Sequence, residues 1–443
     1  MRTRTTVATS HMQDTNSVDS DIDPAEVGDT KSARRFDRRA LFTGGAVGVG
    51  LGGVLGAFGA GPLFGGSSGS SGNGIFAGSG VSVDDAVPFG EELLSCHGVH
   101  QAGVVTPPTS NIRYAAYQLR PEVDAAALQR MFRVLTDDIE GLTSGDSPLA
   151  DPEPELAARP ARLTITLAVG PGLVDRVDPA KRPEWLAALP AFDRDQLSGK
   201  FDGGDLLVIV QADDTLPMAH AQRMLHRDIN GFAEQIWVQQ GFRQARGSDE
   251  SGATMRNLMG QVDGTVNPSP EDEDFASLVW FGAGAGWLKG GSALVLRRIR
   301  MELDTWDQVD RPGREASMGR RLVDGSPLSV PEGEGDEFTP ADFEAKDSLG
   351  FSAIPVASHI RRAHSTDSGE RIFRRAANYD DGQEAGLLFA CYQQDPLSQF
   401  VPIQQRLDEA DVLNEWITHV GSGVYAVLPG FRSGEMLGST LFA

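Results

Sequence analysis

The feature that most restricts the fold of this chain is a succession of strand-like and helix-like stretches that runs β-α-β-β-α-β and then begins again. Asn111 to Leu119 alternates apolar and polar residues as a strand does, and Glu122 to Glu140 carries apolar residues at helical spacing. Leu163 to Val169 and Leu206 to Gln211 are β-rich. Pro217 to Phe232 is helical, with Met218, Ala221 and Leu225 on one face, and Glu234 to Gly241 is again strand-like. After a loop from Arg243 to Pro270 a comparable succession follows: Ser277 to Phe281, Ser292 to Leu303, a helix beginning near Asp304 to Trp306, Gly386 to Gln393, a helix around Asp408 to Ile417, and Gly423 to Leu428. That order is the split βαβ of an α+β, ferredoxin-like unit, so the pattern predicts two such lobes, over 91–245 and 246–443. A chain of 443 residues is long enough for two half-sized lobes that share one interface. The excursion from Pro312 to Asn378, with its acidic loop Pro331 to Asp347, is longer than a structural connection needs, and such loops usually serve function.

The first 90 residues have a different character. Asp37-Arg38-Arg39 precedes a Gly/Ala/Val/Leu run, and no charged residue appears between Arg39 and Asp84. Leu41 to Gly66 is long enough to span a bilayer, but its glycines disfavour a membrane helix. Paired arginines before a mildly apolar segment resemble a twin-arginine signal, here over 1–66, followed by a Gly/Ser-rich linker over 67–90. That route carries folded cargo, which predicts an exported protein whose cofactor is inserted before export. The net charge of −23 argues against partners built of phosphate, nucleic acid included. Two cysteines, Cys96 and Cys391, exclude a disulfide framework; Cys391 sits in an apolar run that predicts a buried thiol, and both are expected free.

Three segments carry groups suited to chemistry: Arg256-Asn-Leu-Met-Gly-Gln-Val-Asp-Gly-Thr-Val-Asn-Pro268, Ser358-His-Ile-Arg-Arg-Ala-His364, and Arg371-Ile-Phe-Arg-Arg-Ala-Ala-Asn-Tyr379. An imidazole can hold iron and leave the sixth position open, a carboxylate can move a proton between peroxide oxygens, and a guanidinium can stabilise the charge that develops as they part. Each residue also has a plain structural use; an aspartate before glycine commonly caps a turn. Cys96-His97-Gly98-Val99-His100 hints at metal binding but lacks the second cysteine of covalent haem attachment.

Taken together these segments resemble the dye-decolourising haem peroxidases. Gly260-Gln-Val-Asp-Gly264 matches the family's G-x-x-D-G signature, Ser358-His359-Ile360-Arg361 its proximal-histidine segment, and Ile372-Phe373-Arg374-Arg375 its distal-arginine segment. His97-Gly-Val-His-Gln-Ala-Gly103 is similar to its opening segment. The resemblance spans about residues 90 to 440 and implies a pair of ferredoxin-like lobes of the dimeric α+β barrel type, with one non-covalent haem b in the C-terminal lobe. It implies His359 as the iron's ligand, Asp263 and Arg374 as the distal catalytic pair, and Gly264, Thr265, Arg361 and Phe389 as further haem contacts. Arg375 is the fallback for Arg374, and His364 is expected in solvent or on the propionate side. Asp395 is the expected carboxylate partner of His359. The implied substrates are hydrogen peroxide and an aromatic or dye-like electron donor; a homodimer is compatible with the family. With the export signal, the resemblance extends to deferrochelatases, which release iron from haem. A non-enzymatic haem carrier would need His359 but has no use for Asp263 and Arg374.

Overall fold

The computed structural model describes residues 89–250 and 252–443; the expected signal region and nearly all of the linker lie outside them. The first half comprises β1 (Asn111–Leu119), α1 (Ala125–Ser144), β2 (Thr164–Val169), α2 (Pro171–Val177), β3 (Leu206–Ala212), α3 (Thr215–Ile229) and β4 (Ala233–Phe242). Its strands form an antiparallel sheet in the order β2-β3-β1-β4. α1 begins where the Asp124 carboxylate accepts a hydrogen bond from Ala127 N at 2.7 Å. It buries Leu128, Phe132, Leu135, Ile139 and Leu142, the spacing that turns one helical face to the sheet. β2 and β3 are buried on both faces, which is why their sequences read as continuous apolar runs, whereas β4 alternates buried and exposed residues.

The second half comprises α4 (Phe275–Val279), β5 (Ser292–Met301), α5 (Leu303–Trp306), α6 (Arg311–Met318), α7 (His359–Ala363), β6 (Phe373–Arg374), β7 (Ala377–Asp380), β8 (Ala385–Gln393), α8 (Phe400–Ala410), β9 (Ile417–Val427) and α9 (Ser439–Phe442). β5 lies between β9 and β8, and β6 and β7 follow one another along the far edge of β8. Both halves are therefore ferredoxin-like. The two sheets join at both edges, β2 to β9 through Ala168↔Val427 and Val169↔Ala426, and β4 to β7 through Phe242↔Asn378 alone. The strands thus close into a barrel, with Tyr114, Leu207, Leu294, Leu388, Tyr392 and Tyr425 in the cluster between the sheets. α1 and α3 pack a second cluster against the first sheet. A third, Met255, Met259, Ile299, Met301, Trp306, Met318, Leu387 and Leu413, lies on the outer face of β5 and β8.

Several boundaries differ from expectation in the second half. Ser277 to Phe281 overlaps the short helix α4, whose buried Phe275, Leu278 and Val279 follow helical spacing. The helix expected around Asp408 to Ile417 begins earlier, at Phe400, with Pro402 tolerated in its first turn. It stops at Ala410, and Ile417 already begins β9. β6 and β7 are too short for a periodic signal and exist because β8 offers an edge to pair with. Both cysteines are buried and unbridged, as expected. No helix among the described residues is long and apolar enough to cross a membrane.

Candidate active site

The site is built on the outer face of the second sheet, from α7 on one side and the Arg256–Pro268 loop with β6 on the other. α7 is only five residues long, so its position comes from packing rather than from intrinsic helicity. α6 ends at Gly319, with φ 91°, and a Cβ there would stand 2.7 Å from Ile360 Cγ1 and 3.0 Å from Ser358 Oγ; glycine lets the turn lie directly against α7. On the opposite flank Arg362 Nε donates to Arg406 O at 3.1 Å and Arg406 Nε returns a bond to Arg362 O at 3.3 Å, tying α7 to α8.

His359, the first residue of α7, places Nδ1 2.6 Å from Asp411 Oδ2. Asp411 is buried, and its Oδ1 accepts from Leu413 N at 2.9 Å, so the carboxylate cannot turn away. Val412 N donates to Ala357 O, closing the same corner through the main chain. With Nδ1 given to the carboxylate, Nε2 is the free ring nitrogen; no described residue hydrogen-bonds it, and 28% of the side chain remains exposed. Burial pulls the imidazole pKa down, but the Asp411 charge and hydrogen bond more than offset it, and the net shift is upward. The expected partner Asp395 is elsewhere: it caps the turn before α8, accepting from Leu397 N at 2.9 Å and Ser398 Oγ at 3.0 Å. Asp395 immediately follows the strand end and is consumed by that turn, while Asp411 caps the next one beneath α7.

Asp263 and Arg374 come together on the other side, with Arg374 Nη1 3.7 Å from Asp263 Oδ1. Asp263 is held by its own N–H to Met255 O at 2.8 Å and by Asn257 Nδ2, which donates to Oδ2 at 3.3 Å. Asn267, four residues on, acts as a strand partner for Arg374: Arg374 N donates to its Oδ1 at 2.7 Å, and its Nδ2 donates to Arg374 O at 3.0 Å. One loop therefore sets both members of the pair. The charges reach across to the histidine, Asp263 raising and Arg374 lowering its pKa. Arg375 points the other way, toward Thr106 O and a buried group with Arg243, Tyr114 and Tyr392, where burial pushes its guanidinium down to about 10.

The remaining expected residues are spread around this frame. Gly264 has φ 133°, which favours glycine, and Thr265 Oγ1 donates to Glu337 Oε2 at 3.0 Å. Arg361 is committed to the protein itself, donating to Ile354 O at 3.1 Å through Nε and to Phe343 O through Nη2, with its guanidinium over the Phe343 ring. His364 packs on the same ring, at 4.5 Å. Phe389, on β8, packs between the first and third clusters. Cys391 opposes Arg374 in the sheet, and burial pushes its thiol up. His97 and His100 gather no metal site: His97 Nε2 meets Glu140 at 3.0 Å, and His100 bonds Gly290 O and stacks on Trp280. Sequence reasoning missed Asp411, Asn257, Asn267 and Glu337. The two asparagines lay inside a quoted segment, but nothing in the spacing marked Asp411 or Glu337.

Two family models cover most of the described chain, Dyp-type peroxidase N-terminal over 101–243 and Dyp-type peroxidase C-terminal over 254–432. A curated dye-decolorizing peroxidase of Thermobifida fusca is 38% identical over 296 residues, 64% of this chain and 68% of the relative. The chain belongs to the Dyp-type peroxidase family. A deferrochelatase of Yersinia pestis is 31% identical over 363 residues, 75% of this chain and 81% of that protein. The crystal structure of a DyP-type peroxidase from Cellulomonas bogoriensis superposes with a TM-score of 0.77 at 45% identity, covering 80% of this chain and 99% of that one. As a Dyp-type peroxidase the chain is an enzyme and binds haem. The donor set fits that group: a single imidazole with its outer nitrogen free, and apolar walls of methionine, leucine and phenylalanine.

The raised His359 pKa gives a signed expectation for the haem-free protein. The His359–Asp411 pair stabilises the fold fully below the histidine's ordinary value of about 6.5, and that contribution fades as pH rises through the raised value. In Asp411→Asn burial dominates and the His359 pKa falls below its ordinary value. An NMR titration of His359 in haem-free protein reads this directly; an unchanged titration in the variant contradicts the pairing.

Proposed function

We propose that this Dyp-type peroxidase reduces hydrogen peroxide and oxidises phenolic or dye-like donors with a haem b that His359 would hold and with Asp263 and Arg374 as the catalytic pair. The observation that carries the reading is His359 itself, locked to Asp411 through Nδ1, with Nε2 unpaired and the Asp263–Arg374 pair within electrostatic reach. When bound, the haem supplies the redox-active iron at which peroxide is reduced. Asp411 keeps the Nδ1 proton and makes Nε2 a stronger electron donor. Asp263 takes a proton from one peroxide oxygen and returns it to the other. Arg374 stabilises the negative charge that builds as the O–O bond lengthens, and Asn267 keeps its backbone aligned with the loop of Asp263. Gly264, Thr265 and Phe389 border the haem in this reading. Arg361 would meet a propionate through nitrogen left over from its carbonyl bonds. The similarity to deferrochelatases over three quarters of the chain supports iron release from haem as a second activity at the same site.

Replacing His359 with Ala abolishes stable haem incorporation, read from the Soret band, while His364→Ala keeps it. Asp263→Asn and Arg374→Leu retain haem but slow its reaction with peroxide by roughly 10²–10³-fold each in stopped flow. If both react as fast as wild type, the distal assignment fails.

We further infer that the chain is exported through the twin-arginine route, supported by Arg38-Arg39 and the uncharged, glycine-rich run that follows. Arg38→Lys with Arg39→Lys leaves the precursor inside the cell in a fractionation assay; normal export of that variant points to another route.

A further inference from the structure

The barrel closes unevenly. Continuing the antiparallel register from Phe242↔Asn378 would set Gln240 opposite Asp380, but pairing stops after that single bridge. β7 ends at Asp380 and turns into β8, and the strands part to leave an open cleft of about 410 Å³, in the range that holds a small organic molecule. Its walls are chemically mixed. Phe201 and Phe242 supply aromatic faces, and Val238 lies between them on the exposed side of β4. Arg113 donates through Nη2 to Gln240 Oε1 at 2.6 Å and keeps its buried Nε without a partner. Asp380 accepts from Gly382 N through Oδ1, and no described residue bonds its Oδ2.

The cleft also adjoins the barrel interior beside β8, the strand that floors the site. Phe201 and Gln239 line both the cleft and a small interior cavity, with room for about one water, whose far wall includes Leu388 of β8. Side chains alternate along a strand, so Leu387 and Phe389 turn outward from Leu388, where they join the cluster that includes Met255, Ile360 and Ala376. A molecule in the cleft and the iron would both stand on the outer face of the barrel, over different strands.

We propose that this seam is the docking site for the electron donor and that the donor is a small phenol, an inference that rests on the peroxidase reading above. The ring packs on Phe201 and Phe242, and the hydroxyl donates to Asp380 Oδ2. Each phenol loses one electron to the peroxide-oxidised enzyme, and its O–H proton leaves by way of Asp380. Two phenols together with one hydrogen peroxide, whose O–O bond breaks, give two phenoxyl radicals and two waters.

The test uses haem-loaded enzyme with 2,6-dimethoxyphenol as probe and two variants, Val238→Trp to fill the cleft and Asp380→Ala to remove the acceptor. Both should react with peroxide alone at the wild-type rate, which also shows that they are folded. KM for the phenol should rise roughly tenfold or more in each, with the peroxide step unchanged. A wild-type KM in Val238→Trp overturns the proposal. Failure of the wild-type enzyme to react with peroxide at all would instead overturn the peroxidase reading itself.

Discussion

The hydrogen bond between His359 and Asp411 is the constraint on which the site depends. A carboxylate 1% exposed is tolerable only when its charge is paired and its oxygens accept hydrogen bonds, and Asp411 meets both conditions through His359 and Leu413 N. Satisfying it fixes the imidazole's tautomer and leaves Nε2 without a hydrogen-bond partner among the described residues. The partners are 52 positions apart, so their meeting requires α7 to dock on α8 and on the α6 turn at Gly319. A five-residue helix has no stability of its own to offer; its place is set by these contacts.

The second constraint is the closed sheet. β5 and β8 present tyrosines and leucines to the barrel interior and alternate residues to the outer face, so the same strands provide both core and site floor. Against that floor the Arg256–Pro268 loop sets Asp263 through Asn257 and Arg374 through Asn267. Asn257, bonded to the backbone and to the Asp263 carboxylate, and Asn267, bonded to the Arg374 backbone on both sides, give less freedom than a lone ion pair at 3.7 Å, and the pair inherits its alignment from them.

The first half of the fold was legible because its elements are long and locally consistent: β1 and α1 carry clean periods, and the Asp124 cap agrees with them. The second half was less so. α7, β6 and β7 are two to five residues long, and their positions come from neighbours distant in sequence. The same difference governs the site. Asp263, His359 and Arg374 lie in motifs that a resemblance can find, and the structure gathers them. Asp411 could not be chosen over Asp395 from spacing, since both are turn-capping aspartates after an element end; only the packing of α7 decides which one lies beneath the imidazole.

The most direct test of this account is resonance Raman spectroscopy of the ferrous haem-loaded protein. An iron–histidine stretching band should be present and should shift to lower frequency in Asp411→Asn, because a ring nitrogen no longer bonded to a carboxylate is a weaker donor. A band that is unchanged when Asp411 is replaced would contradict the claim that this buried carboxylate holds the iron's ligand.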